Sequence, residues 1–224
     1  MRLIEVYKSI KESRLESPRQ NDIENILIKW KDKLKELNID VDEEIGQGSK
    51  GTAFAVLQNQ QVLKVTVDNT EANAAKVLVN KKLKNVVNFY KVFQFDQTGY
   101  YGILQERLDA WKTRSNASFF LEILDDDVFK DIYKKYKSDR DDGSLEREMA
   151  SYFSEKTLNK DISDASIKEA EMGVIGIVNG LQELNKYGIG YDDIWRENIM
   201  KRGKDYVLID LGYSQSAHMP IDEI

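Results

Sequence analysis

No cysteine occurs in the 224-residue chain, so a disulfide framework, a thiolate zinc site and a cysteine nucleophile are excluded, and the redox compartment stays undetermined. Histidine is nearly absent as well. The single His218 argues against Ser-His-Asp chemistry and against multi-histidine metal sites, so any metal must be held mainly by oxygen; His218 itself reads as a tail residue without a role. There is no surplus of base. Against 39 acidic side chains stand 33 basic ones, a net charge of -6 with a pI near 5.1, which speaks against duplex nucleic acid or an anionic membrane as the main partner. Long apolar runs are also missing: Val174-Ile175-Gly176-Ile177-Val178 is followed by Asn179 and falls far short of the ~20 residues that span a bilayer. Met1 to Lys8 mixes charge with apolar residues from the outset, unlike a signal peptide, and predicts a mature cytoplasmic protein. The remainder, 41% hydrophobic and 32% charged, describes a soluble globular protein of one or at most two domains with a buried core.

Residues 1–40 read as a helical amino-terminal extension, with Asn21 and Glu24 as a capping box and Ile23, Leu27, Trp30, Leu34 and Leu37 at helical spacing. From there to residue 108 the pattern becomes short β-prone segments: Ile39 to Ile45, Ala53 to Leu57, Val62 to Val67, Asn88 to Phe95 and Tyr100 to Glu106. Turn-like residues separate them at Gly46 to Gly51, Gln58 to Gln61 and Asp96 to Gly99. This predicts a five-stranded antiparallel sheet, interrupted by one helix from Thr70 to Lys84. Residues 109–162 are charged and are read as two helices, anchored by Phe119-Phe120-Leu121 and Tyr133 to Tyr136, with Asp139 to Gly143 as a loop. Ser163 to Lys186 reads as a buried helix with Ile167, Ala170, Val174, Val178 and Leu181 on one stripe. Its Gly173, Gly176 and Gly180 fall on roughly one face, where missing side chains permit close packing at a cost of about 1 kcal/mol each relative to Ala. After Gly188-Ile189-Gly190, two strand-like pieces, Asn198 to Lys201 and Tyr206 to Ile209, are joined by Arg202 to Asp205. Tyr100, Tyr101, Trp111, Phe119 and Phe120 read as packing residues.

Three constellations carry chemistry. Gly46-Gln47-Gly48-Ser49-Lys50-Gly51 is a G-x-G-x-x-G with β-prone residues on both sides; such a turn is either hairpin punctuation or a phosphate cradle, because glycine lets main-chain amides approach phosphate oxygens closely. No Gly-Lys-Ser/Thr follows, as a P-loop needs, and no helix opens directly after it, as a dinucleotide site needs. Lys64 sits on a strand in Val62-Leu63-Lys64-Val65 and is either an edge lysine or one directed into a polar site. Glu71, at the start of the next helix, is either a first-turn carboxylate favoured by the helix dipole or the partner that orients Lys64. Last come Asp193 and Asn198, five apart in a loop before a hairpin, and Asp210, twelve residues after Asn198 at the hairpin's end. Two carboxylates and an amide oxygen brought to one point suit a magnesium phosphoryl-transfer site, since Mg²⁺ takes few hard oxygens from protein and the rest from phosphate and water.

From about Glu43 to Gly212 the motif order resembles that of the eukaryotic-like protein kinases and their kinase-fold relatives. Gly46, Gly48 and Gly51, with Ser49 between them, resemble the glycine-rich loop; Lys64 the β3 lysine; Asp193 with Asn198 the H-R-D-L-x-x-x-N catalytic loop; and Asp210-Leu211-Gly212 the D-F-G motif. Leu104 to Leu108 looks like the hinge, with Gln105 at the gatekeeper position and Glu106 offering main-chain groups to adenine. The resemblance implies a two-lobed α+β fold: residues 1–40 as the extension, 41–108 as the amino lobe, and 109–224 as a shortened helical carboxyl lobe. It further implies ATP and Mg²⁺ as ligands. Lys64 would hold the phosphates, Glu71 would fix Lys64, Asn198 and Asp210 would bind Mg²⁺, and Asp193 would orient the acceptor hydroxyl and take its proton.

Several positions depart from the family. Tyr191 and Asp192 replace His and Arg of H-R-D, which predicts no clamp for a phosphorylated activation loop, and Trp195 stands where protein Ser/Thr kinases usually place lysine. The seven residues from Lys64 to Glu71 make a short interval, and twelve residues after Gly212 are too few for the family's activation segment. Substrate docking is therefore expected to use residues 1–40, 109–162 or another subunit. The favoured activity is phosphoryl transfer to a protein Ser, Thr or Tyr hydroxyl. The alternatives are a small-molecule kinase resembling aminoglycoside or choline phosphotransferases, with Asp125-Asp126-Asp127 either part of an acidic acceptor pocket or a solvated helix start, and a nucleotide-binding pseudokinase acting as a regulatory module.

Overall fold

Strand alternation in Val62-Leu63-Lys64-Val65 sends Leu63 and Val65 to one face and Lys64 to the other, and the sheet is organised around that division. The computed structural model describes residues 18–57, 60–96, 98–109, 117–136, 144–158, 160–191, 193–212 and 215–216. It is α+β, with six α-helices among the described residues and a five-stranded antiparallel sheet. The described residues fall into two compact units, one within Met1–Lys81 and Asn88–Arg107, the other within Lys82–Val87 and Leu108–Ile224.

In the first unit, α1 (Pro18–Glu36) precedes β1 (Val41–Gln47), β2 (Gly51–Val56) and β3 (Gln61–Thr66). Then follow α2 (Asn69–Leu78), β4 (Phe89–Gln94) and β5 (Tyr101–Glu106). The sheet has the predicted five strands, every pair antiparallel, in the order β1-β2-β3-β5-β4. Leu63 and Val65, both fully buried, join Phe54, Val56, Phe95 and Leu104 in a core closed by Ile23, Ile26, Leu27 and Leu34 of α1. On the other face Lys64 stands between its register partners Ala53 and Ile103. Helix α2 packs on β4 and β5; its buried Ala72, Ala74 and Ala75 have short side chains that let the helix lie close, and Leu78 is buried at its end.

Two helix limits differ from the predicted ones. Helix α1 starts at Pro18, so Asn21 and Glu24 lie inside it and form no capping box; proline suits a first helical position because its φ is preset and it lacks an N–H that would go unpaired there. Helix α2 stops at Leu78 rather than continuing to Lys84. Val79 turns to extended backbone and Asn80 adopts a φ of 62°, a left-handed stop that asparagine tolerates.

The second unit holds α3 (Ala117–Leu124), α4 (Asp127–Tyr136), α5 (Ser144–Thr157) and α6 (Asp164–Asn185). Three helices therefore occupy the region read as two. The extra boundary is made by Asp126, whose Oδ1 accepts from the Val128 N–H at 2.8 Å and so starts α4. Ser163 caps α6, its Oγ accepting from the Ser166 N–H at 3.2 Å. The glycine face of α6 is used as expected. A Cβ on Gly173 would lie 2.3 Å from the Phe120 ring, and one on Gly180 would lie 2.7 Å from the carbonyl oxygen of Asn85. Packed on this helix is the hairpin of β7 (Ile199–Arg202) and β8 (Asp205–Leu208), turned at Gly203 with φ 62°. Short strands β6 (Ile189–Gly190) and β9 (Gln215–Ser216) pair antiparallel. Trp111, the Asp139 to Gly143 loop, the Tyr133 side chain, Asp192 and His218 lie outside the described residues. No described helix is long and apolar enough to cross a membrane.

Gly180→Ala should lower the urea midpoint at unchanged slope, with a loss of about 1–3 kcal/mol from overpacking against a main-chain carbonyl that outweighs the ~1 kcal/mol gained in helix propensity. A midpoint equal to or above that of the wild type would contradict the tight approach of α6 to the Asn85 segment.

Candidate functional site

In the first unit β3 delivers Lys64 to the face that α2 covers. Its Nζ lies 2.5 Å from Glu71 Oε1, with the Lys64 side chain 16% and the Glu71 side chain 2% exposed. Both readings of Glu71 hold: it lies in the first turn of α2 and it pairs with Lys64. The seven-residue interval suffices because Asp68 starts the helix immediately after β3. Its Oδ1 accepts from the N–H groups of Thr70 and Glu71 at 2.9 and 3.3 Å, an N-cap that fixes where Glu71 emerges. Burial pushes the Asp68 carboxyl up, but hydrogen bonds from Lys50 and from the Glu71 and Thr70 amides, with the Lys50 charge, hold it below its ordinary value.

The glycine motif forms the β1–β2 turn, closed by Gly48 N–H donating to Gly51 O at 2.8 Å. Its three glycines are not equivalent. A Cβ on Gly51 would stand 2.3 Å from the main-chain oxygen of Val65, so the neighbouring strand demands glycine there. At Gly46 nothing lies within 4 Å, and at Gly48 the nearest atom is 3.8 Å away, so packing requires glycine at neither. Ser49, at the tip, is exposed. At the predicted hinge, the Glu106 N–H donates to Asn88 O at 3.0 Å, and its carboxylate accepts from the Asn88 N–H and Nδ2 at 2.8 and 3.1 Å. The Glu106 N–H, one of the main-chain groups expected to meet a base, is thus taken by Asn88, the residue before β4.

In the second unit two predicted residues, Asp193 and Asn198, are brought together, and Asp210 follows a main-chain contact with Asn198. Asn198 Nδ2 donates to Asp193 O at 2.9 Å and to Asp193 Oδ2 at 3.1 Å. The Ile209 N–H donates to Asn198 O at 2.9 Å, which sets Asp210 one residue beyond a main-chain contact with Asn198. Asp210 has a φ of 54°, in the left-handed region that aspartate enters more readily than most residues. Tyr191, 2% exposed, joins the two segments: its hydroxyl donates toward Asp193 O at 2.9 Å and Ile209 O at 3.2 Å. The sequence marks Tyr191 only as a departure at the histidine position, and its bridging role was missed; a polar-tipped aromatic two residues before Asp193 was the available signal. Arg202 was missed too. Its guanidinium donates to the carbonyls of Leu83, Lys84 and Val86 at 2.9, 2.8 and 3.0 Å, holding residues 83–86 beside the hairpin.

The acidic run is accounted for by structural partners. Asp125 Oδ2 pairs with Arg196 Nη2 at 2.8 Å, Asp126 with Lys156, and Asp127 with Lys130 at 2.8 Å. Trp195 is 53% exposed. A groove of about 510 Å³ opens in the first unit beside α1, lined by Asp22, Lys29, Trp30, Lys33, Asp96 and Tyr100 among others, and holds no predicted site residue. Its Lys33 is already paired with Asp96 at 2.6 Å, and the groove lacks convergent reactive groups. Among the described residues no three acidic or histidine side chains form a ready-made cation cage; a site with two protein ligands is not of that kind. Comparison of the sequence with protein-family models and with curated proteins finds no match.

The lowered pKa of Asp68 has a definite sign. A depressed folded-state value stabilises the fold above the ordinary aspartate value of 3.8, and that contribution disappears as pH falls through the folded value. Asp68→Asn should therefore be less stable than wild type at pH 7, and the gap should close as pH drops below about 3.8. Urea melts across pH 2–7 check this; a gap that is constant with pH would assign the loss to the helix cap alone.

Proposed function

We propose that the chain is an ATP- and Mg²⁺-dependent phosphotransferase whose two units are the lobes of a protein-kinase-like fold, transferring the γ-phosphoryl group to a protein Ser, Thr or Tyr hydroxyl. The observation that carries this is the Lys64–Glu71 pair. A strand lysine held at 2.5 Å by a carboxylate that is 2% exposed is an oriented cation, and oriented cations are what triphosphates are held by. Gly46 and Gly48 add support, since neither contacts nor φ require glycine there and bare main chain is what phosphate oxygens approach.

For Mg²⁺ the donor set fits. Asn198 spends Nδ2 on Asp193, which turns Oδ1 to other use, and Asp210 supplies a carboxylate; two protein oxygens with phosphate and water completing the shell is the habit of this ion. When bound it would neutralise charge on the phosphate oxygens. Lys64 holds the phosphates and Glu71 holds Lys64. Asp193, fixed through its carbonyl by Tyr191 and through Oδ2 by Asn198, orients the acceptor hydroxyl. The acceptor oxygen bonds to the γ-phosphorus as the bond to the bridging oxygen breaks, ADP leaves with that electron pair, and the hydroxyl proton passes to Asp193. Arg196 pairs with Asp125. This pairing, with those of Asp126 and Asp127, gives each carboxylate of the run a cation within the chain and so supports the solvated-helix-start reading over an acidic acceptor pocket, which favours the protein acceptor.

Incubation with γ-labelled ATP and Mg²⁺, offering the protein itself, a host lysate and a panel of small hydroxylated compounds, should place label in protein, with Asp193→Ala lowering transfer about 100-fold or more. Label in a small molecule would move the acceptor assignment. A magnesium-dependent thermal shift with ATP but no transfer would leave a binding module, and no shift at all would end the nucleotide reading.

A further inference from the structure

Lys50, in the glycine turn, is held by three bonds. Its carbonyl accepts from the Val67 N–H at 3.0 Å and from Thr66 Oγ1 at 3.3 Å, and its ammonium reaches Asp68 Oδ2 at 2.5 Å. The Asp68 side chain is 4% exposed, against 39% for that of Lys50, so a half-exposed lysine leaves solvent to meet a buried carboxylate. The other oxygen of that carboxylate caps α2 at Thr70 and Glu71. A continuous polar path thus runs within the first unit from the turn through Lys50 and Asp68 to the helix start, and from Glu71 to Lys64.

A turn with glycines at Gly46, Gly48 and Gly51 has many conformations to lose, and ordering it on binding would weaken any ligand that needs it ordered. We propose that Lys50 is a positioning residue: by gripping Asp68 it fixes the glycine turn against the first turn of α2 before any ligand arrives, and so sets the affinity for the phosphates of the nucleotide. This rests on the nucleotide reading above. Lys50 acts here through the turn and touches no reacting atom.

Three variants of the full chain test it: Lys50→Ala, Lys50→Arg and Asp68→Asn. In Lys50→Ala without nucleotide, hydrogen exchange at the Gly48 and Val67 amides should rise about ten-fold or more while Leu63 and Val65 are unchanged, since only the turn is released. The Kd for a fluorescent ATP analogue with Mg²⁺ should rise about ten-fold while kcat stays within about two-fold, and Lys50→Arg should recover most of both effects. Lys50→Ala added to Asp68→Asn should weaken binding no further, because both break one link. Unchanged exchange at Gly48, additive losses, or tighter binding by Lys50→Ala would each overturn the proposal. Should the wild type bind no nucleotide, the phosphate role falls together with the nucleotide reading, and the exchange result still decides whether the turn is held by Lys50.

Discussion

A carboxylate as enclosed as that of Glu71 can stay ionised only where positive charge and donors meet it, and the Lys64 ammonium at 2.5 Å supplies that charge. Separating the two would strand a charge in the interior, which costs far more than the pair contributes. Much of the first unit follows from keeping them together. The pleat of β3 must send Lys64 to the α2 face while Leu63 and Val65 enter the core beneath α1. The helix must begin at once after the strand, which the Asp68 cap arranges, and it must lie close to the sheet, which Ala72, Ala74 and Ala75 permit.

The second unit solves a different problem, that of holding a four-residue-stranded hairpin steady enough to place groups at its two ends. Helix α6 gives it a floor from which side chains have been removed at Gly176 and Gly180. Phe120 meets Tyr206 edge to face at 4.8 Å. Lys201, 2% exposed, pairs with Glu169 while its ammonium lies 4.3 Å from the centre of the Tyr206 ring, and the Tyr206 hydroxyl donates to the same carboxylate at 2.6 Å. Arg202 fastens the strand's far end to residues 83–86. At the near end Tyr191 ties Asp193 to Ile209. The result is a hairpin braced by polar contacts at its base, middle and turn.

The sheet was legible because strand periodicity and glycine punctuation are local: Val62 to Val67 alternates as a strand must, and Asp96 to Gly99 can hardly be other than a turn. The long helix was legible from its apolar stripe, and its glycines pointed correctly to close packing. Helix limits were less so. Proline as a first residue and asparagine as a stop compete with equally plausible local signals, and Asn21 with Glu24 imitates a cap without being one. The division at Asp126 was hidden because an acidic run reads as a solvated surface until its partners, Lys156 and Val128, are known. Among the site residues, Asp193 with Asn198 could be paired from spacing, whereas spacing left Glu71 open between a first-turn carboxylate and a partner for Lys64. Lys50 with Asp68, Tyr191 with Ile209, and Arg202 with the carbonyls of residues 83–86 could not, since each joins segments whose meeting only the folded chain decides.

The backbone of Asp210, left-handed at 54°, acts as a filter on heredity at that position. Most side chains lose about 1–2 kcal/mol in such a conformation, whereas glycine, asparagine and aspartate enter it with little strain. Random change here is thus funnelled toward a very small alphabet, of which only aspartate brings a negative charge and only asparagine keeps its oxygen without one. A lineage drifting away from whatever Asp210 does would be expected to pass through Asn or Gly first, leaving the turn intact and its chemistry silenced.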